Sequence, residues 1–307
     1  MDDADSRNPW ASQPLLAAAG LDRQQLPRAL YVVATPIGNA ADITLRALWV
    51  LQSANCIAAE DTRVTAPLLK RYGIGTRPIA LHRHNERAAT DKILARLAQD
   101  ERVALVSDAG TPGISDPGAV LVKAALSAGH RVIPVPGPSS LTAALSVAGV
   151  QAPFFRALGF LPPRAKARRR LLQEAAESGD AFVLFEAPHR IAQTASELAS
   201  LLHPERRVVL ARELTKIFEA IVQTTAVGLP SAVTGQQERG EFVVVVDAAQ
   251  HAGAVAVGLD EAGRRWLQAL AEEVPAARAA AIAAKATGLA RDVLYRSLLA
   301  RRNDQPV

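Results

Sequence analysis

Cysteine, aromatic residues and long apolar runs are scarce in this chain of 307 residues. The single cysteine, Cys56, excludes a framework of disulfide bonds within the chain, and its apolar surroundings indicate a buried thiol. No apolar run is long enough to span a membrane, and the first twenty residues carry acids where a secretory signal peptide has basic residues. We therefore expect a cytoplasmic protein that does not bind membranes. Because 49% of the residues are apolar and the chain is long, two domains with sizeable cores are expected.

Several common active-site motifs are also missing. The sequence contains neither the phosphate-binding G-x-x-x-x-G-K-[ST] loop nor the dinucleotide-binding G-x-G-x-x-G loop, so a phosphate cradle is disfavoured. It lacks the G-x-S-x-G elbow as well, because Ser139 lies in GPSSL, and an acyl-transfer serine is not expected. His82 and His84 are two residues apart with no cysteine nearby, so we expect no metal site.

From Leu30 onward, short apolar strands alternate with helices. LYVVA, CIAAE, PIALH, VALVS and RVIPV predict a largely parallel sheet that is covered on both faces. After a break at residues 149–153, five more strands and their helices predict a second α/β domain. Two short helices near the C-terminus, separated at Gly288, favour a helical hairpin, with a helix-turn-helix as the alternative. The predicted division is a disordered leader over residues 1–28, α/β domains over 29–150 and 151–252, and a helical appendage over 253–307.

Three loops rich in glycine and proline follow strands of the first predicted sheet. They are TPIGN at 35–39, SDAGTPGISDPG at 107–118 and PGPSS at 136–140. In open α/β sheets, ligands bind at the carboxyl ends of the strands. Glycine lets a ligand approach the backbone closely, and proline holds that backbone in place. Together the three loops predict a ligand-binding cleft.

Seven segments carry a family resemblance: VVATPIGNAADITLRAL, AAEDTR, VSDAGTPGISDPG, PVPGPSSLTAALSVAG, GFLPPR, FEAPHRI and ARELTKIFE. They resemble the signature segments of the ribosomal RNA small subunit methyltransferase I family, a branch of the tetrapyrrole methylase superfamily, in unbroken order from about Leu30 to Val246. The resemblance implies a homodimer of two α/β domains with S-adenosylmethionine bound in the cleft between them. It also implies 2′-O-methylation of a cytidine ribose in the decoding region of 16S ribosomal RNA. This cofactor carries no phosphate, which agrees with the missing phosphate-binding loops.

The resemblance further implies where the cofactor binds. The expected positions lie on the loop after VALVS, on the serine-rich loop and in the second domain: Asp108, Ala109, Gly110, Thr111, Pro112, Gly113, Ser139, Ser140, Phe185, Leu214 and Glu241. The TPIGN loop has the single Gly38 where the tetrapyrrole enzymes usually have two close glycines. We therefore assign no cofactor contact to that loop.

Methyl transfer to a ribose hydroxyl requires alignment of donor and acceptor, and a general base or nearby cations to offset the high pKa of the hydroxyl. Glu186, Glu213 and a Lys216 with a lowered pKa all remain open as the base. For each candidate, a structural ion pair at the domain interface is the alternative. The full candidate set consists of polar residues at the ends of apolar strands: Glu60, Asp61, Arg63, Glu186, His189, Arg190, Arg212, Glu213 and Lys216.

Positive charge is concentrated in the segment RAKARRR, which has five cations in seven residues. Clustered cations release counterions when they meet nucleic acid, although a solvated helix face is the alternative. The residues expected to contact RNA are Arg164, Lys166, Arg168, Arg169 and Arg170 together with the basic C-terminal stretch, and His82, Arg83, His84 and Asn85 at the substrate entrance. Because aromatic residues make up only 4% of the chain, shape and phosphate contacts should dominate over base stacking.

Two other functions remain open at this stage. Within the superfamily, the acceptor could be a tetrapyrrole carbon or a protein side chain. Outside enzymes, the chain could be a ribosome assembly factor with a vestigial cofactor pocket. The basic segment and the TPIGN loop disfavour the first alternative, and the intact DAGTPG and PGPSS loops disfavour the second.

Overall fold

A computed structural model of the chain describes residues 18–82, 85–114, 116–234, 239–249, 259, 261–287, 289 and 291–302. The described residues belong to two compact units, one within Met1–Ala249 and the other within Gln250–Val307. The first unit contains two five-stranded sheets. Every strand predicted from the sequence is observed.

The elements of the first half are β1 (Leu30–Val33), α1 (Leu45–Ser53), β2 (Cys56–Ala59), α2 (Thr62–Arg71), β3 (Pro78–Ala80), α3 (Glu86–Ala98), β4 (Val103–Val106), α4 (Ala119–Ser127), β5 (Val132–Val135) and α5 (Ser140–Ala148). The first sheet is entirely parallel, with the strand order β3-β2-β4-β1-β5. All four residues of β4 are buried, as expected for a central strand that is covered on both faces. Along β1, Tyr31 and Val33 join the core under α1 and α2, whereas Leu30 joins the core under α3 and α4.

The elements of the second half are β6 (Phe155–Phe160), α6 (Ala165–Glu177), β7 (Ala181–Glu186), α7 (Ile191–Leu201), β8 (Arg207–Arg212), β9 (Ala220–Thr225), α8 (Leu229–Ala232) and β10 (Phe242–Val246). The second sheet is mixed, with the strand order β6-β7-β10-β8-β9. Its last strand in the sequence, β10, lies in the middle and is antiparallel to both β7 and β8, so that Val244 is opposite Leu184 on one side and Leu210 on the other. All five residues of β10 are buried.

The two sheets are joined by helix α5, which ends at Gly149 in the left-handed conformation. One face of the second sheet packs against α6 and α7. Its other face packs against Ala144 and Ala148 of α5, with Val183, Val209 and Val245 contributed by the sheet. The helix thus precedes residue 150 in the chain, but it covers the second sheet.

The predicted leader covers residues 1–28, of which 1–17 lie outside the described residues. Residues 18–28 contact the first sheet: Leu21 is buried, Leu26 packs on the core under α1 and α2, and Arg102 Nε donates a hydrogen bond to Leu26 O (2.9 Å). The packed chain therefore begins before β1.

The second unit contains three helices where the sequence predicted two: α9 (Glu261–Glu273), α10 (Ala276–Thr287) and α11 (Arg291–Arg302). The prediction of a two-helix hairpin is wrong, because α9 contributes Leu267 to the unit's small core beside Ala279, Ala283 and Leu294. Across the described parts of the whole chain, every helix is too short or too polar to cross a bilayer.

Candidate functional site

The three glycine- and proline-rich loops meet at the carboxyl ends of the parallel strands, as predicted. Thr35 and Gly110 exchange two backbone hydrogen bonds of 2.9 and 3.0 Å, which join the first loop to the second. Thr111 Oγ1 donates to Pro138 O (3.2 Å), which joins the second loop to the third. Gly110 has a φ of 79°, a left-handed conformation that favours glycine at this turn.

A small pocket lies where these loops approach the second sheet. It is lined by Ile37, Ala109, Ser140, Leu214, Glu241 and Val243, and its volume is about 80 Å³. Four of these residues, all except Ile37 and Val243, are predicted cofactor positions. The volume is far below the roughly 300–1,000 Å³ of typical ligand pockets, so a whole cofactor enters only if the walls move apart.

Other predicted cofactor positions support the loops rather than line the pocket. The Asp108 carboxylate accepts a hydrogen bond from the backbone N–H of Asp61 (2.9 Å) and so ties the loop after β2 to the loop after β4. Burial and the charge of Asp61 raise the pKa of Asp108, although the Asp61 N–H opposes them. Phe185 packs beside the pocket-lining residues and contacts Phe160, with ring centroids 5.5 Å apart. Gly110, Thr111, Pro112, Gly113 and Ser139 belong to the joined loops but are not among the lining residues.

A second, larger cleft of about 730 Å³ opens beside the small pocket. Sequence reasoning missed it, because its walls come from segments far apart in the chain. Leu214 lines the small pocket, whereas its neighbours Glu213 and Thr215 line the cleft, so one short segment separates the two spaces. The lining consists of Gly38, Asn39, Ala40, Ala41, Arg71, Tyr72, Glu213, Thr215, Lys216, Ile217 and Phe218.

The dividing segment packs directly against the TPIGN loop. A Cβ atom at Gly38 would lie 2.5 Å from Lys216 Cγ, 2.9 Å from Thr215 Oγ1 and 3.1 Å from Leu214 O, so only glycine fits there. The Asn39 N–H donates to Thr215 Oγ1 (3.0 Å). Glu213 and Thr215 both have positive φ angles, 49° and 66°, which is uncommon for residues other than glycine and is typical of functional sites.

Lys216 is held by two carboxylates at this division. Its Nζ lies 2.8 Å from Glu213 Oε1 and 3.2 Å from Glu241 Oε2. Burial lowers the pKa of Lys216, but the hydrogen bonds to both carboxylates outweigh burial and the pKa is raised. Burial raises the pKa of Glu213, but the Lys216 ammonium and the Glu241 N–H outweigh it and the pKa is lowered. Both groups therefore stay ionised at neutral pH, and the predicted lowered pKa of Lys216 is wrong.

Known proteins share both the sequence and the fold. A family model described as "Tetrapyrrole (Corrin/Porphyrin) Methylases" matches residues 29–230, and one described as "RsmI C-terminal HTH domain" matches residues 257–302. A protein of Neisseria meningitidis serogroup B named "Ribosomal RNA small subunit methyltransferase I" is 48% identical over 276 residues, which cover 89% of this chain and 94% of the relative. The chain belongs to the ribosomal RNA small subunit methyltransferase I family of tetrapyrrole methylases.

Similar proteins with the same printed name come from other bacteria. The Xylella fastidiosa (strain Temecula1) protein is 46% identical over 88% of this chain and 98% of its own length. The Escherichia coli O157:H7 protein is 43% identical over 88% of this chain and 94% of its own length. The fold is also that of a uroporphyrin-III-C-methyltransferase from Thermus thermophilus (TM-score 0.51, 23% identity) and a cobalt precorrin-4 methyltransferase (TM-score 0.54, 20% identity). These matches cover 71% of this chain and 93% and 94% of those chains.

In this family member, Glu186 at the end of β7 is a structural residue. Its side chain is fully buried and accepts hydrogen bonds from Thr194 Oγ1 (2.6 Å) and the Ala187 N–H (2.9 Å). Arg190 Nε lies 3.3 Å from the same carboxylate, and Arg190 Nη2 donates to Leu161 O (3.1 Å). Glu186 faces the core under α6 and α7, away from the small pocket. Its prediction as a general base is therefore wrong.

The loop after β2 supplies another carboxylate that is a weak base. Hydrogen bonds from the Arg63 guanidinium and backbone N–H lower the pKa of Asp61 to about 2, and this carboxylate also caps α2. Glu60 is half-buried and His189 is exposed. Arg212, at the end of β8, forms no hydrogen bond or ion pair from its side chain within the described part of the chain. The catalytic roles predicted for these residues stay predictions.

The basic segment divides into an exposed and a buried part. Arg164, Lys166, Arg169 and Arg170 are exposed, which keeps them available to a polyanion. Arg168 is only 3% exposed and forms a two-pronged ion pair with Glu197, the closest N–O distance being 2.6 Å. The prediction that Arg168 contacts RNA is therefore wrong.

The predicted substrate entrance is only partly described. Asn85 accepts a hydrogen bond from the His82 N–H (2.8 Å) and donates one to Ala80 O (3.0 Å), so its side chain shapes the loop before α3. Arg83 and His84 lie outside the described residues. An RNA contact by this loop stays a prediction.

Proposed function

We propose that the chain transfers a methyl group from S-adenosylmethionine to the ribose 2′-oxygen of a cytidine in the decoding region of 16S ribosomal RNA. The observation that carries the proposal is the small pocket beside the larger cleft, because it joins the three loops to the second sheet at one place. Family membership supports methyl transfer, and the relatives' printed names support a small-subunit RNA acceptor. A homodimer and a cytoplasmic location are part of the same proposal.

The residues of the small pocket suit the proposed cofactor. Ala109, Leu214 and Val243 offer apolar contact, while the Ser140 hydroxyl and the Glu241 carboxylate offer polar groups. Such a mixture fits a ligand with a flat base, a ribose diol and an amino acid end, and no phosphate-binding loop is needed. When bound, the cofactor supplies the activated methyl group.

The cleft would receive the acceptor, and the segment between pocket and cleft would align the two. With the cofactor held in the small pocket, the cleft would hold the ribose hydroxyl in line with the methyl group that the cofactor supplies, and the hydroxyl proton would pass to solvent. Lys216 stays protonated at this division because its pKa is raised, so it acts as a cation that stabilises negative charge on the ribose oxygen and not as a base. Glu213 and Glu241 hold the ammonium in place.

The exposed cations of α6 would bind the RNA backbone. Arg169 and Arg170 are available, whereas Arg168 is not. Each phosphate contact adds about one to the salt slope, which is the steepness with which the logarithm of the RNA-binding constant falls as the logarithm of the salt concentration rises. The basic C-terminal stretch stays a predicted contact.

The proposal is tested by transfer of labelled methyl groups to small ribosomal subunits from cells that lack this gene. After alkaline hydrolysis of the RNA, label retained in an alkali-resistant dinucleotide supports ribose methylation. No label in RNA, with S-adenosylmethionine binding intact in calorimetry, rejects the proposal in favour of a small-molecule or protein acceptor.

The RNA-binding face has its own test with a matched control. The double variant Arg169→Ala/Arg170→Ala should weaken RNA binding and lower the salt slope by about two. Lys123→Ala/Arg131→Ala removes two exposed cations elsewhere on the surface and should leave both quantities unchanged. Equal losses in both double variants would reject α6 as a specific contact.

A further inference from the structure

Ile217 and Phe218 are held out into solvent by a fixed turn after β8. The two residues are 95% and 70% exposed. The turn is closed by the Thr215 N–H, which donates to the Glu219 carboxylate (2.6 Å), and by the Lys216 N–H, which donates to Glu213 O (3.0 Å). These backbone hydrogen bonds fix the turn in the conformation that exposes Ile217 and Phe218.

The same two side chains line the cleft of about 730 Å³. Single exposed apolar residues are ordinary on protein surfaces, but adjacent ones at the rim of a large cleft are typical of binding sites. Tyr72 is buried in the cleft wall, where its hydroxyl donates to Ala40 O. Phe218 thus presents an accessible aromatic ring at this rim.

Positive charge accompanies the ring. Arg71, in the last turn of α2, lines the cleft, is exposed and forms no ion pair or hydrogen bond from its side chain among the described residues. Lys70 adds a second exposed cation in the same turn. The acid in the lining, Glu213, is already paired with Lys216. A flat ring and an unpaired guanidinium that line the same cleft match an unpaired nucleotide, which offers a base to stack and a phosphate to bind.

We infer that this cleft binds a single-stranded segment of the RNA substrate, in which Phe218 stacks on an unpaired base and Arg71 contacts a neighbouring phosphate. The inference rests on the proposed function, since it places the acceptor strand one segment away from the methyl donor. Leu214 faces the donor pocket, while Thr215 and Lys216 face the strand. The low aromatic content of the chain is consistent with a site for one base and not with an extended stacking surface.

Variants of Phe218 separate stacking from simple apolar contact. Phe218→Ala and Phe218→Leu both remove the flat ring, and each should raise the KM for small ribosomal subunits roughly tenfold to a hundredfold. Phe218→Trp keeps a flat ring and should restore wild-type KM. S-adenosylmethionine affinity should be unchanged in all three. Phe154→Ala is the matched control, because Phe154 is 75% exposed but lies outside the cleft.

A second readout does not depend on catalysis. An oligoribonucleotide that carries 5-iodocytidine is irradiated with each protein in the presence of S-adenosylhomocysteine, and the crosslinked residue is identified by mass spectrometry. We expect the crosslink at Phe218 in the wild type and its loss in Phe218→Ala. Arg71→Ala should lower the salt slope of oligoribonucleotide binding by about one.

The outcomes distinguish this inference from the proposed function. If the wild type crosslinks at Phe218 but transfers no methyl group to RNA, the proposed function fails and the base site stands. If KM and crosslinking are the same in Phe218→Ala and the wild type, the base site is rejected while the function stands. Full activity of Phe218→Leu also rejects the base site, in favour of apolar packing by residue 218. If sedimentation equilibrium shows that Phe218→Ala dissociates an oligomer, the base site is rejected in favour of a contact between copies of the chain.

Discussion

Replacing Gly38 by alanine should destabilise the protein and impair methyl transfer. The added Cβ would lie 2.5 Å from Lys216 Cγ, 2.9 Å from Thr215 Oγ1 and 3.1 Å from the backbone oxygen of Leu214. The Leu214 oxygen belongs to a segment with two strained φ angles, so the loop and the segment must separate. Their separation disturbs the division between the small pocket and the cleft.

The expected loss in the free energy of unfolding is about 1–3 kcal/mol, which is the usual effect of adding a methyl group to a closely packed site. For a compact unit of this size each kcal/mol shifts Tm by roughly 2–4 °C, so Tm should fall by roughly 2–12 °C in all. Differential scanning calorimetry measures this shift. In parallel, kcat/KM for small ribosomal subunits should fall, because Lys216 no longer holds its position between the two carboxylates.

Gly75 provides the matched control. A Cβ there meets no heavy atom within 4 Å, and its backbone is not left-handed. Gly75→Ala should therefore leave Tm unchanged or raise stability by about 0.4–1 kcal/mol through a smaller entropy of the unfolded chain. The reasoning is refuted if Gly38→Ala has wild-type Tm and kcat/KM, or if both variants lose the same stability.

Two further predictions concern ion pairs. Arg168→Ala should lower the free energy of unfolding by about 3–5 kcal/mol, because it leaves the largely buried Glu197 unpaired, whereas Arg169→Ala should change it by less than about 0.5 kcal/mol in urea titrations. Since the hydrogen bond from Arg168 lowers the pKa of Glu197, this stabilisation is present above the ordinary value of 4.5 and is lost as pH falls through the lower folded value; Glu197→Gln should remove that pH dependence. Because the pKa of Lys216 is raised above 10.5, deprotonation of this side chain should not change the transfer rate until the pH exceeds 10.5. A transfer rate that rises with pH near neutrality in the wild type, and no longer does so in Lys216→Arg, would contradict this.

The strands and their loops were predictable because their signals are local. Strand β4 is a continuous apolar run, and a loop with glycines and prolines from Gly110 onward follows it. The position of each loop at a strand end then follows from the parallel arrangement. The three loops that meet through Thr35, Gly110 and Pro138 could therefore be identified without coordinates.

The side-chain roles were harder to predict, although some signals were available. On α6, Arg168 shares a face with the buried Leu172 and Ala175 at helical spacing, which indicates burial of that one arginine. On β7, Phe185 and Glu186 are adjacent and must point to opposite faces of the sheet, so both cannot serve one pocket. The periodicity of side-chain directions in a helix and in a strand could alone have corrected the predicted roles of Arg168 and Glu186.

Other features had no local signal. Burial lowers the pKa of Lys216 and the hydrogen bond to the nearby Glu213 raises it, but the further rise from Glu241 comes from a different segment of the second sheet. The cleft brings Arg71 of the first half to the turn that carries Phe218. Such contacts depend on how the two sheets pack, and no spacing in a single segment encodes them.

The central position of β10 has a consequence for synthesis. Because β10 is the last strand of its sheet in the sequence, the growing chain first exposes two separate pairs, β6 with β7 and β8 with β9. The inner edges of β7 and β8 remain open until residues 242–246 have been made, and open edges invite pairing with other chains. A chain that stops before Phe242 therefore leaves two unpaired strand edges. The second sheet is complete only after residue 246 has been made.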